Sequence, residues 1–288
     1  MKIARRDAAG LATNRGVCFA SCTVIDDQLA FIDLVSESFA EEAPPAARLA
    51  HLTQQTLKRF LPGTRLLRHV CSELGRSGVE FRPLLRRDIH APDEPKDPAL
   101  PFFSPEMVFA IEPVSAELNR RLRAEPEAWI QYHLSRLMAE EGYLDSEVYR
   151  KYMIPSGFED AWVCSRVIEE NYVITLVAPR DIGAPQLSDS QKEIIATLSS
   201  LGGPIWLEVA KRPLITANLL KAIHGLTEIQ TQVLRHALTG LPEKMIAAMT
   251  NRSPHTIHNH LRDLYRKFDI SSRSELLALR LDGDEADG

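Results

Sequence analysis

Between Thr256 and Lys267 of this 288-residue chain, side chains that donate and accept hydrogen bonds recur at helical spacing. His258, Asn259, Arg262 and Arg266 fall away from an apolar stripe of Ile257, Leu261, Leu264, Tyr265 and Phe268, taken at 100° per residue. An arginine fork can bridge O6 and N7 of guanine, and an asparagine amide can bridge N6 and N7 of adenine. Catalysis has no comparable footing, because the chain has no phosphate-binding glycine loop, no GxSxG and no HExxH. His255, His258 and His260 are close in sequence. On a helix, however, His258 and His260 point about 160° apart, and no cysteine or carboxylate completes a tetrahedral set. No enzymatic activity, metal or cofactor is expected.

Four amphipathic helices must hold these residues in place. Thr227 and Gln230 form a capping box that opens the first, with Ile229, Val233, Leu234, Ala237 and Leu238 on one face and Gly240 at its end. Pro242 suits the first turn of a second helix through Met245, Ile246 and Met249. Thr250-Asn251-Arg252 is the tight connection. Ser253 as N-cap and Pro254 at the first helical position begin the third helix. Ser272 and Glu275 read as another capping box, starting a last helix with Leu276, Leu277 and Leu279. Two short helices joined by a tight turn, the second polar and basic on its outer side, make a helix-turn-helix.

These residues resemble the LuxR-type (GerE-type) DNA-binding domain. The matches are Leu226-Thr227, Val233-Leu234, Gly240, Lys244, Ile246-Ala247, Ser253, Thr256-Ile257, His260-Leu261, Tyr265, Lys267 and Ser272-Arg273. Ile229-Gln230 and Gln232 depart from the family's usual Arg-Glu and Glu, at positions that support the first helix. The resemblance implies that His258, Asn259 and Arg262 face base edges in the major groove of double-stranded DNA. It also implies that Lys244, Ser253, Thr256, His260, Arg266 and Lys267 meet phosphates, with the helix N-terminus at Ser253 adding its dipole. Thr256 has a competing use, a hydrogen bond within its own helix.

The net charge of −5 does not suggest a nucleic-acid binder until it is divided. From Lys221 to Arg280 there are nine Lys/Arg against five Asp/Glu, whereas residues 1–220 hold 25 basic against 30 acidic. A basic module on an acidic partner domain fits DNA binding by the module alone. Hydrophobic content of 44% suits a globular protein, and no run of eighteen apolar residues indicates a membrane span. No signal peptide is indicated, and four sparse cysteines (Cys18, Cys22, Cys71, Cys164) without a CxxC suit a reduced, cytoplasmic setting. Cys18 and Cys22 could be a redox pair, though core thiols are the plainer use.

Earlier in the chain, Val17–Val24 reads as a first strand, after which Asp27 caps a helix carrying Leu29, Ile32, Leu34, Val35 and Phe39. An acidic receiver pocket at Asp26-Asp27 is rejected, because no later strand ends in a phosphoacceptor aspartate. Pro44-Pro45 opens a helix through Leu49, Leu52, Leu57 and Phe60 that ends at Pro62-Gly63. Arg82–Pro105 holds six prolines and reads as a long loop, either a lid or a plain surface segment. Ser115–Glu141 reads as helical. Ala161–Ile168 and Tyr172–Ala178 form a hairpin about Glu169-Glu170-Asn171. Ser188 and Gln191 box the start of a helix with Ile194, Ile195, Leu198 and Leu201, interrupted at Gly202-Gly203-Pro204 and broken at Pro213.

Residues 144–210 are similar in pattern to the GAF/PAS-type sensory domains that precede LuxR-type modules. The expected fold is thus an α+β sensor, an antiparallel sheet with helices, joined to an all-α helix-turn-helix domain. The expected divisions are 1–212 for the sensor, 213–225 for a linking helix, 226–283 for the DNA-binding domain and 284–288 for an acidic tail. Trp129, Tyr149, Tyr152 and Trp162 could line an effector pocket, or simply pack the core. The acyl-homoserine-lactone domains that also precede LuxR-type modules carry an early Trp-Tyr-Asp-Trp set, and no Trp here precedes Trp129, so resemblance to them, and with it a quorum-sensing lactone, is disfavoured. The resulting expectation is a transcription regulator that binds DNA as a homodimer, touching through Leu276, Leu277 and Leu279. Its further partners would be a small-molecule effector or a protein, and RNA polymerase. The alternative is a non-DNA-binding anti-activator, against which Arg262 and Arg266 count.

Overall fold

The computed structural model of the chain describes residues 15–40, 42–74, 81–92, 112–137, 142–169 and 171–279, with the backbone alone described at 15–25, 81–83, 112–116 and 137. Helix α1 (Arg15–Ala40) runs through Val17–Val24, where a strand was expected, and Asp27 lies inside it rather than at its cap. Strand propensity is a weak prior over so short a run. Phe31 and Leu34 are buried, while Leu29 and Ile32 remain exposed. Helix α2 (Pro45–Phe60) begins as its prolines dictate, with Pro44 at the N-cap and Pro45 at the first position. It buries Leu49, Leu52, Thr53, Thr56 and Leu57, a stripe at spacings of three and four.

Five strands, β1 (Leu66–Leu74), β2 (Phe81–His90), β3 (Ile130–His133), β4 (Phe158–Glu169) and β5 (Tyr172–Asp181), form one antiparallel sheet in the order β2-β1-β5-β4-β3. The β4–β5 hairpin is the one expected from sequence, longer at both ends. The proline-rich loop expected from Arg82 is a strand as far as His90. Pro83 is tolerated because β2 lies at the sheet edge and the ladder shifts register between Cys71 and Ser72, opposite it. The rest of that expected loop, beyond Pro92, falls outside the described residues. The helix expected over 115–141 is three pieces as far as Leu137: α3 (Glu112–Ala124), then β3, then a single turn α4 (Leu134–Leu137), while residues 138–141 fall outside the described residues.

Side chains alternate across the sheet, so it divides two apolar clusters. One face packs Leu67, Cys71, Trp162, Cys164, Ile174 and Leu176 against α1, α2 and the long helix α5 (Asp189–His224). The other packs Leu66, Tyr132, Phe158, Val163 and Val173 against Leu118 and Leu122 of α3 and Tyr143–Met153.

Helix α5 opens with both bonds of the Ser188–Gln191 capping box. It then continues for 36 residues, through Pro204 and Pro213, to a C-cap at Gly225. The interruption and break expected at those prolines are absent. A mid-helix proline removes one backbone bond and usually kinks the helix. Here packing on both sides of each proline offsets that loss: Trp206 and Ala210 are buried in the sheet-side cluster, Leu207 is buried between them in sequence, and Ala217 is buried in a third. Gly202 and Gly203 serve close approach. A Cβ added at Gly203 would lie 2.1 Å from Ile174 Cδ1, and one at Gly202 would lie 3.1 Å from Leu49 Cδ2.

Candidate nucleic-acid interface

Beyond Gly225 come α6 (Glu228–Leu238), α7 (Glu243–Met249), α8 (Pro254–Phe268) and α9 (Arg273–Ala278). The Thr227–Gln230 capping box is complete, and Gly240 takes the left-handed φ of 83° that ends α6. Pro242 is the N-cap of α7, one residue ahead of the expected place. The turn into α8 needs a left-handed residue, and Asn251 supplies it at φ 50°. Arg252 N–H closes that turn onto Ala247 O at 2.9 Å. Ser253 Oγ accepts from Thr256 N–H at 3.1 Å, capping α8. Glu275 departs from the expected box. Ser272 Oγ accepts from its N–H, but its carboxylate takes the Ser271 N–H and the hydroxyls of Ser271 and Ser272.

Ile257, Leu261 and Leu264 of α8 are buried among Val233, Leu234, Ala237, Leu238 and Ile246. Three such side chains bring about 6 kcal/mol of gross apolar stabilisation, which fixes the orientation of α8. The opposite side of α8 is therefore the outward ridge. By helical projection it carries His255, Asn259, Arg262 and Arg266. Arg262 is exposed and has no hydrogen-bond or ion-pair partner among the described residues. Asn259 Nδ2 lies 3.4 Å from His255 Nε2. Arg266 pairs with Asp263. His258 sits about a quarter-turn from the ridge, with Nδ1 3.4 Å from the Glu243 carboxylate.

The residues expected to meet phosphates divide. Lys244 at the start of α7 is exposed and, among the described residues, without a partner. Ser253 and Thr256 hydroxyls are 2.8 Å apart and serve the cap. His260 is half-buried on the flank, beside Thr256 and Lys267. Lys267 reaches the end of α5, with Nζ 3.5 Å from His224 O and 3.4 Å from Gly225 O, where a cation meets the negative helix terminus. His224 also packs edge-on against Phe268. The sequence reading missed His255 as a ridge residue and Arg252 as an exposed cation beside the cap. Projection from Asn259 and Arg262 would have found His255.

The four aromatics expected to share a pocket stand on opposite faces of the sheet. Trp162 and Trp129 belong to the cluster under α5, and Tyr149 and Tyr152 to the one under α3. A cavity of about 10 Å³ lies under α5 between His69, Cys71, Ile174, Thr175, Ser199, Gly203 and Trp206, room for about one water. Burial pushes His69 down to about 3, so its imidazole is neutral there. Among the described residues no group of three or more His, Cys, Asp or Glu could hold a metal, and no helix is long and apolar enough to cross a membrane.

Residues 224–279 match the family of bacterial regulatory proteins, luxR family, in its GerE domain. The match lies on α6–α9 and indicates a DNA-binding regulator of transcription. No curated protein matches the sequence. Among solved structures the chain is similar to SdiA in complex with octanoyl-rac-glycerol, at 11% identity and a TM-score of 0.34 over 93% of this chain and 96% of that one. It is similar to Escherichia coli SdiA at 12% and 0.33, over 86% and 94%. The ligand-binding domain of VqsR from Pseudomonas aeruginosa gives 12% and 0.37, over 61% and 93%.

Proposed function

We propose that this chain regulates transcription by sequence-specific binding of double-stranded DNA, with α8 in the major groove. The observation that carries the reading is the outward ridge of α8, with Arg262 exposed and unengaged, on a helix whose other face is fixed by a complete apolar core. Arg262 and Asn259 read base edges, with His258 at the margin. Lys244, Arg266 and the capped N-terminus at Ser253 hold phosphates. His260, Thr256 and Lys267 flank the groove, with Lys267 divided between phosphate and the end of α5.

The N-terminal unit is read as a sensor of GAF/PAS-like build, supported by its five-stranded antiparallel sheet covered by helices on both faces. The division at 1–212, 213–225 and 226–283 falls within α5, so one continuous helix runs from the sensor through the linking segment to the start of the DNA-binding domain. A small-molecule effector or protein partner that favours one sensor geometry shifts DNA affinity through that helix, and a coupling of about 1–3 kcal/mol changes it about 5- to 150-fold.

The test is selection of bound duplexes from a randomised pool by the full-length chain, followed by titration against salt. A recovered consensus, bound far more tightly than scrambled duplex, with a log–log salt slope of several units, is the expected result. Equal affinity for consensus and scrambled duplex would refute the reading.

A further inference from the structure

The outward side of the C-terminal domain carries Lys244, Arg252, Arg262 and Arg266, residue types whose charge does not answer to physiological pH. Histidine is different, since an imidazole gains or loses its charge between about pH 5 and 8. Helix α8 has three, His255, His258 and His260. Among the described residues, His258 alone of these has a carboxylate within ion-pair range. Its Nδ1 lies 3.4 Å from both oxygens of Glu243, the first residue of α7, and its side chain is 60% exposed.

This pair stands between the ridge of α8 and the start of α7. Glu243 immediately precedes Lys244, the residue read as a phosphate contact, and Arg262 is one turn beyond His258. The other ionisable groups around the pair are His255 on the preceding turn of α8, Tyr265 farther along it, and Arg273 of α9, which donates to Leu241 O. Helix α6 meets α8 through the apolar cluster and gives His258 no polar contact among the described residues. A carboxylate at this place opposes DNA. At about 7 Å from a phosphate, in water without salt, one like charge weakens binding about threefold, and more so beside a low-dielectric surface. A proton on His258 offsets that charge where it arises, and phosphates in turn favour an imidazolium over a neutral imidazole.

Building on the DNA-binding reading, we propose that His258 takes up a proton when the chain binds DNA and offsets Glu243 at the phosphate face, so that affinity rises as the pH falls. The sign follows from linkage. The complex holds the proton more tightly than the free protein does, so the gain is full once both are protonated and absent once neither is. A one-unit difference between the two amounts to about tenfold in DNA affinity.

The experiment titrates the full-length chain with the selected duplex and with a scrambled one, at constant salt, from about pH 6 to about pH 8.5. The lower bound protects the fold: burial holds His69 down at about 3, so stability present above its unfolded value of 6.5 is lost progressively below it. Wild type should bind both duplexes about tenfold more tightly at the acid end. His258→Lys should bind at the alkaline end as tightly as wild type does at the acid end, and His258→Gln should stay weak throughout. Glu243→Gln, freed of the opposing charge, should bind about threefold more tightly than wild type at either end. Calorimetry in buffers of different ionisation enthalpy counts the proton directly, with about half a proton taken up by wild type midway and close to none by either His258 variant. Both variants keep His255 and His260. A pH dependence that survives in His258→Gln, or that vanishes only in His255→Gln or His260→Gln, overturns the proposal. So does a wild type whose affinity ignores pH. Equal affinity for the two duplexes refutes sequence-specific reading alone, since the slope with pH on either duplex still decides the proton. A wild type that binds neither duplex at any pH ends both.

Discussion

Asp88→Ala should be among the most damaging single substitutions in the N-terminal unit. Arg68 on β1 stands directly opposite Asp88 on β2, with only 2% of its side chain exposed. Its Nε and Nη2 donate to the two carboxylate oxygens at 2.7 and 2.9 Å, and Arg86 adds a further donor to each oxygen. Burial alone would raise the Asp88 pKa. The bonds and charge of Arg68, then of Arg86, outweigh burial and hold it down from 3.8 to about 2. Truncation takes the carboxylate from a buried guanidinium, at a cost of about 3–5 kcal/mol. That is about a fifth or more of the stability of a typical domain. Protonation is gentler, since the acid keeps its shape and part of its bonding. A shift of that size is worth about 2 kcal/mol. Because the folded pKa is the lower one, this stability is fully present above the unfolded pKa of about 3.8 and is lost as the pH falls toward about 2. Urea unfolding followed by tryptophan fluorescence is the assay, since Trp129, Trp162 and Trp206 all lie in the sheet-side cluster of this unit. The double variant Arg68→Met/Asp88→Leu should recover most of the loss. A cost under about 1 kcal/mol for Asp88→Ala, or a double variant as unstable as the single, would show that the buried pair is not what couples β1 to β2.

Other outcomes follow from single residues. Arg262→Ala should cost about 1–3 kcal/mol on the selected duplex and relax preference at one base position, whereas Lys244→Ala should weaken all duplexes alike and lower the salt slope by about one; titrations at several salt concentrations separate the two. Gly63→Ala should destabilise the N-terminal unit by about 1–3 kcal/mol in the same urea assay, because the residue has φ 72° and a Cβ there would lie 2.7 Å from Ala184 Cβ. Cys71 and Cys164 are buried and their thiols are pushed up to about 12, so at pH 8 a thiol-specific reagent followed by mass mapping should leave both unmodified until the chain is denatured.

The C-terminal domain was legible because its signals are local. Capping hydroxyls, prolines at first positions and stripes of period 3.6 each act within a few residues, and they set the ends of α6 and α8 and the face α8 buries. The outward ridge followed from that face, apart from His255. The engagement of Lys267 at the end of α5 did not, because a partner 43 residues away leaves no mark in spacing. In the N-terminal unit the failures are tertiary. Strand β1 reads Leu-Leu-Arg-His-Val-Cys-Ser-Glu-Leu and is buried on both faces, so no alternation announces it, and its Arg68 and His69 look like surface residues. Strand β2 was hidden by Pro83, which only its edge position allows. The prolines of α5 looked like breaks because the packing that holds the helix on either side of each comes from β1, β5 and α6.

An unbroken α5 also has a mechanical consequence. At 1.5 Å per residue its 36 residues form a rod about 54 Å long, clamped where Gly202 and Gly203 touch the sheet side. Its far end at His224 is about 30 Å from that clamp. A tilt of about 5° at the glycines sweeps that end through roughly 3 Å, about one base-pair rise along B-DNA. With α8 in the groove as proposed, methyl-sized adjustments beneath the glycines would be magnified to the scale on which the double helix is read, and the phase of α8 along the groove would be set at the sheet.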